Sequence, residues 1–190
     1  MRDAARRVVR RSTLPPHGRT HIRTRAQLGP AHDEAPRITL APMCNLCEMN
    51  ADVDRLPLYE RLYLDESWRV AHGWSSLPGW LVVALRRHAE ALDELTDHEA
   101  ESLGRLLKAA SVALKRAVGC RKTYVILFAE HPLYPHVHLH VVPRMDWFTD
   151  NDRATSVFRF LNVPEEDRVT VSERERLAAE VGQTLREFAT

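Results

Sequence analysis

Residues 136–144 read His-Val-His-Leu-His-Val-Val-Pro-Arg, and this stretch decides the fold. Successive side chains of a β-strand point to opposite faces of the sheet. In a strand, His136, His138 and His140 therefore share one face, and the apolar residues between them share the other. The apolar row predicts a core contact, whereas the imidazoles are predicted to line a surface that is open to a ligand. Pro143 is predicted to end the strand, because proline has no N–H to donate to a neighbouring strand.

Three aligned imidazoles can ligate a metal, transfer protons or act as nucleophiles at neutral pH. The alternative is that they only form the polar outer face of a half-buried strand. Three histidines within five residues, beside a strictly apolar row, are an unusual composition for such a face. The stretch therefore favours a chemical site.

A resemblance to a known family covers roughly residues 38–145. Residues 136–142 match the pattern His-φ-His-φ-His-φ-φ, where φ is apolar, without a gap. Upstream, residues 78–88 read Pro-Gly-Trp-Leu-Val-Val-Ala-Leu-Arg-Arg-His, and residues 92–96 read Leu-Asp-Glu-Leu-Thr. Together these segments resemble the histidine triad (HIT) superfamily. The resemblance implies an α+β fold with a HIT-like antiparallel sheet, a long helix and a C-terminal helix.

Local patterns predict the same elements. Residues 68–72, 80–85 and 122–128 are predicted to form strands, and short strands joined by tight turns favour an antiparallel sheet. Thr96 and Glu99 form a capping box at the start of a long amphipathic helix that ends at Gly119. Periodicity does not decide whether residues 58–64 form a helix or a strand.

A second helix is predicted near the C-terminus, after an irregular stretch over residues 147–163. Ser172 and Glu175 are predicted to cap this helix. Its apolar residues fall on one side, which must be buried against its own domain or against a partner; they are Leu177, Val181, Leu185 and Phe188.

The pair Cys44 and Cys47 forms a Cys-x-x-Cys motif, which can be half of a zinc site or a redox pair. The redox interpretation lacks support, because no thioredoxin-like strand precedes the motif and no helix clearly begins at Cys44. The HIT resemblance implies a ligand set of Cys44, Cys47, His88 and His136. Four ligands with no open position would make the zinc structural. Cys120 stands apart and is predicted to be a small core residue.

The resemblance also implies the chemistry. The middle histidine, His138, would be the nucleophile that forms a nucleotidyl-histidine intermediate. His140 would contact phosphate oxygens, and His136 would bind zinc and orient the strand. We expect no Mg²⁺ requirement, since histidine chemistry replaces metal-assisted phosphoryl transfer. The expected activity is nucleotide hydrolysis, with diadenosine polyphosphate cleavage as the named reaction. A transferase or phosphorylase, or a non-enzymatic zinc-stabilised nucleotide-binding module, are the alternatives.

Two positions depart from the HIT pattern. Family members often carry Gly-Gln and a Ser or Thr just before the triad, whereas residues 132–135 here read Pro-Leu-Tyr-Pro. Glu130 or His131 in the same loop could take over the phosphate contact. The acidic residue that often holds the ribose would fall near His72. Val82 and its apolar neighbours are predicted to line a base pocket.

Composition bounds the remaining questions. The 190 residues suit one domain with appendages: a disordered extension over 1–37, a HIT-like catalytic domain over 38–145 and a C-terminal tail over 146–190. The extension carries nine arginines against three acidic residues, a balance of +6 that leaves −5 for the remainder. Such a basic start is typical of a transit peptide, a nucleic-acid-binding arm or an upstream extension. The acidic remainder gives no sign of a nucleic-acid footprint. We expect a soluble cytoplasmic protein, without membrane contact, that forms a homodimer.

Overall fold

The structure is a computed structural model that describes residues 44–188. The predicted extension over 1–37, and the first residues of the predicted catalytic domain, lie outside the described residues. Three helices are described: α1 (Asn45–Ala51), α2 (Asp97–Val118) and α3 (Val171–Phe188). Five strands are described: β1 (Tyr63–Leu64), β2 (Trp68–His72), β3 (Leu81–Leu85), β4 (Lys122–Ile126) and β5 (His138–Arg144). Short 3-10 turns connect them, among them Leu58–Glu60 and Ala154–Phe160.

The strands form one sheet in the order β1-β2-β3-β5-β4, and every neighbouring pair is antiparallel. This confirms the predicted α+β class. The strand predicted over 68–72 has those bounds, and the other two differ from prediction by one or two residues at an end. Residues 58–64 contain both a 3-10 turn and the short β1, which explains why periodicity alone did not decide between helix and strand.

One face of the sheet packs on α2 and α3. Val137, Leu139 and Val141 join the buried cluster that also contains residues of both helices, so the predicted core role of the apolar row is confirmed. The apolar side of α3 packs against its own domain. Leu177, Val181 and Leu185 are buried there, while the side chain of Phe188 lies outside the described part. On the opposite face, Val82 and Val142 pack with residues of the segment after β5, among them Phe148 and Val157, so part of that face is covered.

Helix α2 begins and ends as predicted. The Thr96 hydroxyl accepts a hydrogen bond from the Glu99 N–H, and the Glu99 carboxylate accepts one from the Thr96 N–H. Gly119 ends the helix in the left-handed conformation, at φ 65°. The predicted cap of α3 is wrong, because the helix begins at Val171 and it is the Thr170 hydroxyl that accepts from the Glu173 N–H.

Pro143 does not end β5, which continues to Arg144 and corrects the prediction. The carbonyl of Arg144 accepts a hydrogen bond from the Arg121 N–H, so the backbone groups of Arg144 face the β4 side. Backbone groups alternate along a strand, and the amide position of Pro143 consequently faces the other side. There the pairing with β3 has already ended at Leu81 and Val141. The missing N–H of Pro143 therefore removes no bond from the sheet.

Gly182 lets α3 lie directly on the end of β1. A Cβ at this position would collide with the carbonyl oxygen of Leu62. Within residues 44–188, none of the helices combines the length and the hydrophobicity that a bilayer span requires.

Candidate active site and metal centre

The sheet face opposite the helices carries His138 and His140. The strand register aligns Arg69, Ala84 and His138 in one row across the sheet, and Ala71, Val82 and His140 in the next row. Small side chains on the two central strands leave room above the sheet. An open cavity of about 180 Å³ lies there, and both histidines line it.

His136 lies just before β5 and is fully buried. Its Nε2 lies 2.7 Å from the carbonyl oxygen of Leu85, so Nε2 carries the proton and donates it to that carbonyl. Nδ1 then keeps its lone pair, and it faces the two cysteines at 3.4 Å from Cys44 Sγ and 3.5 Å from Cys47 Sγ. His136 therefore does not share the cavity with the other two triad histidines.

Cys44, Cys47, His88 and His136 form one cluster, in which the four potential ligand atoms lie within 4.8 Å of one another. Cys47 Sγ also lies 3.3 Å from Nδ1 of His88. A tetrahedral zinc ion with the usual bond lengths separates a sulfur ligand from a nitrogen ligand by about 3.6 Å. The three sulfur–nitrogen distances are close to this value, so the donor set fits a tetrahedral metal.

The surroundings also fit a metal. His88 Nε2 lies 3.4 Å from a carboxylate oxygen of Glu90, and the Leu85 carbonyl holds Nε2 of His136. A carboxylate or carbonyl on the second ring nitrogen is the usual partner of a metal-bound histidine. Burial, and then the neighbouring Cys44, raises the pKa of the Cys47 thiol to about 11 in the protein alone.

A helix does begin at this motif, contrary to the sequence interpretation. Cys44 is the N-cap of α1, whose seven residues Asn45–Ala51 carry Cys47 in the first turn. The helix is seven residues long and buries only one of them, so its apolar residues show no helical periodicity in the sequence. The helix contributes one buried residue, Leu46, which packs with Cys44 and Ala84 under the cavity.

His138 has a defined tautomer. Its Nδ1 lies 2.7 Å from the carbonyl oxygen of His136, to which Nδ1–H donates. Nε2 is left unprotonated, with a free lone pair. Burial lowers the pKa of His138, which keeps the ring neutral near pH 7. The arrangement leaves a nucleophilic nitrogen on a residue that lines the cavity.

His140 has the opposite tautomer. The indole N–H of Trp80 donates to Nδ1 of His140 over 3.0 Å, so the ring proton sits on Nε2. Burial, and then the neighbouring His138, lowers the pKa of His140 to about 4. The ring of Phe158, from the segment after β5, packs edge-on against His140 with a centroid distance of 5.4 Å. His140 thus offers an N–H donor, and its ring centroid lies 5.2 Å from that of His138.

We compared the sequence and the structure with those of known proteins. No protein-family sequence model matches the chain, and no curated protein sequence matches it. A hypothetical histidine triad nucleotide-binding protein from Sulfolobus tokodaii strain7 superposes with a TM-score of 0.56 at 17% identity, covering 76% of this chain and 93% of that one. The chain has the histidine triad fold.

Other solved structures agree. A zinc-bound histidine triad family protein from Mycobacterium smegmatis gives a TM-score of 0.55 at 17% identity, covering 76% of this chain and 94% of that one. A uridylyltransferase gives 0.52 at 18% identity, covering 76% of this chain and 45% of that one. At these identities the likeness establishes the histidine triad fold alone.

The loop before the triad strand brings Tyr134 to the cavity. His131, from the same loop, is not among the residues that line the cavity. His131 is exposed, and its Nδ1 accepts a hydrogen bond from the Leu133 N–H. Its ring packs on Tyr134, whose ring in turn contacts His138 with a centroid distance of 6.5 Å. A role for Tyr134 in the cavity was not predicted from the sequence, although Tyr134 is the aromatic residue of the Pro-Leu-Tyr-Pro segment that differs from the HIT pattern.

His72 serves the fold. Its Nδ1–H donates to the Gly73 carbonyl at 2.8 Å, and its Nε2 accepts from the Gly79 N–H at 3.0 Å. Burial lowers the pKa of His72 to about 4. Because both ring nitrogens are engaged, His72 holds the turn between β2 and β3 and has no free nitrogen for a sugar hydroxyl.

Val82 lines the cavity as predicted, but polar residues that the sequence did not single out line it too. Glu60 comes from the 3-10 turn before β1, and Arg69 comes from β2. Leu161, from the segment after β5, closes another part of the wall. Arg144 does not line this cavity, and its guanidinium lies 3.5 Å from the carboxylate of Asp146.

Proposed function

We propose that this chain is a nucleotide hydrolase of the histidine triad type. It cleaves a nucleoside 5′-phosphoryl bond in a dinucleoside polyphosphate or a nucleotidyl conjugate through a nucleotidyl-histidine intermediate. The observation that carries the proposal is the 2.7 Å contact of His138 Nδ1 with the His136 carbonyl, which leaves Nε2 free on a residue that lines an open cavity.

The reaction has two steps. Nε2 of His138 attacks the phosphorus of the nucleoside phosphoryl group, forming a P–N bond, and the bond from phosphorus to the leaving group breaks. The leaving group departs with the bonding electron pair. Water then attacks the same phosphorus, the P–N bond breaks, and the nucleoside monophosphate is released. The electron pair of the P–N bond returns to Nε2, so His138 regains its neutral form, and the water proton passes to solvent.

His140 supports both steps in this proposal. Its Nε2–H, set by the Trp80 bond to Nδ1, can donate to a non-bridging phosphate oxygen. A donor aimed at a phosphate stabilises negative charge as it shifts toward the leaving group. We expect this contact to make Mg²⁺ unnecessary for turnover.

The cluster of Cys44, Cys47, His88 and His136 is proposed to hold a structural Zn²⁺. Two thiolates and two imidazoles are a donor set that zinc prefers, and four protein ligands leave no position for substrate. The ion would join α1 to the start of the triad strand. This would hold in place the His136 carbonyl that accepts the hydrogen bond from His138 Nδ1–H.

One observation favours the second candidate, a nucleotide-binding module without turnover. The segment over residues 132–135 carries two prolines and presents Tyr134 to the cavity, in the place of the small hydroxyl-bearing residues found in the resemblance. Such a change would leave nucleotide binding possible while removing a leaving-group contact. The transferase or phosphorylase alternative differs only in the acceptor of the second step.

The experiment is an incubation with adenosine phosphoramidate and a series of dinucleoside polyphosphates, beside the His138→Ala variant. Hydrolysis yields a nucleoside monophosphate that does not depend on added phosphate, whereas phosphorolysis of a dinucleoside tetraphosphate yields a nucleoside diphosphate only when phosphate is present. Turnover that survives His138→Ala would refute the nucleophile. Nucleotide binding without turnover in either protein would select the binding module.

A homodimer and a cytoplasmic location belong to the same proposal. Sedimentation equilibrium of the full chain measures the first, and fractionation of cells that express the chain measures the second.

A further inference from the structure

The end of the cavity away from the triad has an unusual composition. Arg69 is 1% exposed and Glu60 is 6% exposed, yet both line the cavity, with Arg69 Nη1 lying 3.9 Å from Glu60 Oε2. Burying a charged pair costs desolvation free energy, and a pair of apolar residues of similar size is often as stable. An apolar lining would suffice to shelter a ring, so the buried pair calls for a polar ligand group.

Arg69 is held in place with donors to spare. Its Nε donates to the Asn50 side chain at 2.7 Å, and its Nη1 donates to the Glu60 carbonyl at 2.6 Å. Nη2 has only the sulfur of Met49 at 4.0 Å. A guanidinium has five N–H groups, so Arg69 keeps donors that no described residue satisfies with an oxygen acceptor.

Glu60 is held in a similar way. Its Oε1 accepts from the indole N–H of Trp74 at 2.9 Å, while Oε2 has no hydrogen-bond donor within 3.5 Å among the described side chains. Burial raises the pKa of Glu60, and the Trp74 N–H, Arg69 and Arg174 act in the opposite direction. Oε2 is therefore an acceptor available to a ligand, beside the spare donors of Arg69.

Trp74 adds an aromatic wall. Its ring is 53% exposed and lines the cavity, and the guanidinium of Arg174 lies 5.2 Å from the ring centroid. The same guanidinium lies 4.2 Å from the ring of Tyr59. Cation–π contacts and the Glu60 bond hold the indole in place. An exposed, fixed indole is a surface on which a planar base stacks.

The distance from the triad matches the length of a nucleotide. Arg69 and His138 lie in one row of the sheet with β3 between them, so their strands are about 10 Å apart. A phosphate at His138 and His140 therefore places the nucleoside over Val82 and Ala71, which line the cavity, and its base at the end formed by Glu60, Arg69 and Trp74.

We infer that Glu60 and Arg69 read the edge of the base, and that the cavity selects guanine. The inference rests on the proposed function. An ionised carboxylate only accepts hydrogen bonds, and it repels a ring nitrogen that carries a lone pair. Guanine presents two adjacent donors, N1–H and N2–H, beside the O6 acceptor. Adenine and cytosine each present an unprotonated ring nitrogen next to the amino group, and uracil flanks its single N–H with two carbonyls. Guanine alone offers two adjacent donors to Glu60 beside an acceptor for Arg69, whereas adenine and cytosine each offer a single amino donor beside an acceptor.

The test is calorimetric titration of the full-length, zinc-loaded protein with GMP, AMP, CMP, UMP and N1-methyl-GMP. These are product-like ligands, so binding is measured without turnover. We expect GMP to bind about tenfold or more tightly than AMP, and N1-methylation to lose most of that advantage, because an unpaired buried group costs about this much. Glu60→Gln should lower the affinity for GMP about tenfold and that for AMP less than about threefold. Glu66→Gln, an exposed carboxylate outside the cavity, is the matched control.

Equal affinities for GMP, AMP and N1-methyl-GMP would overturn the base reading and leave the proposed function standing. The same conclusion follows if Glu60→Gln weakens all nucleotides alike. Failure of every nucleotide to bind would overturn the proposed function, and the base reading with it. The N1-methyl-GMP comparison uses the unaltered protein, so the test does not depend on the folding of Glu60→Gln.

Discussion

Trp80 fixes the protonation of His140 through a single hydrogen bond of 3.0 Å from its indole N–H to Nδ1. Trp80 is fully buried, and the bond leaves the imidazole proton on Nε2, where the proposed mechanism needs a donor. Trp80, in the turn before β3, thereby sets the tautomer of His140 on β5, two positions after the proposed nucleophile.

Trp80→Phe removes this donor while keeping an aromatic ring. We expect kcat/KM to fall about tenfold to a hundredfold, because His140 then populates the wrong tautomer, and stability to fall by about 1–3 kcal/mol from the lost volume. Nitrogen NMR of His140 reports the tautomer directly. Trp147→Phe, at an exposed indole, is the control. An unchanged Nε2–H signal with unchanged turnover would contradict the role of Trp80.

Cys47→Ser removes a ligand of the proposed zinc ion. We expect metal content near one ion per chain in the unaltered protein and clearly less in the variant, with Tm lower by about 10 °C or more, since bound metal contributes to folding free energy. Cys120→Ala, at a buried thiol far from the cluster in the core, is the control and should keep its metal. Equal metal content in Cys47→Ser and the unaltered protein would remove Cys47 from the ligand set.

The stability of the protein should decrease as the pH falls from about 6.5 to about 4. His72 and His140 have pKa values of about 4 in the folded chain, against 6.5 for an ordinary histidine. Between these values the unfolded chain binds more protons than the folded chain, so the free energy of unfolding decreases as the pH is lowered. Protonation of His72 would also break its bond from the Gly79 N–H.

Urea denaturation at several pH values measures this dependence. His72→Asn should give a less steep decrease in that window than the unaltered protein, whereas His98→Gln, at an exposed histidine, should leave the slope unchanged. A slope that is the same in all three proteins would show that His72 does not titrate with a depressed pKa.

Glu99 links helix α2 to the turn that carries His88. Its carboxylate accepts two hydrogen bonds from Arg87, at 2.6 and 2.7 Å, and one from the Thr96 N–H, and the Arg87 contact lowers the pKa of Glu99 to about 2. Glu99→Gln should destabilise the chain by about 1–2 kcal/mol and weaken metal retention against a chelator. Glu101→Gln, exposed on the same helix, should do neither. Unaltered chelator resistance in Glu99→Gln would show that the turn is fixed without it.

The sequence predicted those elements whose signals are local. The capping box at Thr96 and the strand over 68–72 depend on neighbouring residues, and both were found as expected. Pro143 was misjudged because its effect depends on where β3 ends, which is a tertiary fact. The polar end of the cavity was missed for the same reason. Glu60 and Arg69 are nine residues apart and carry no motif, and only the sheet brings them over the row of His138.

The alternation along β5 also constrains how this protein can vary among species. Insertion or deletion of one residue between His136 and His140 would reverse every later side chain, sending an imidazole into the contact with α2 and a valine into the cavity. Substitutions can accumulate around this segment, but length changes within it would be lost from any lineage that keeps the two imidazoles at the cavity. Gaps in an alignment of its relatives should consequently fall in the loops on either side and leave these five residues uninterrupted.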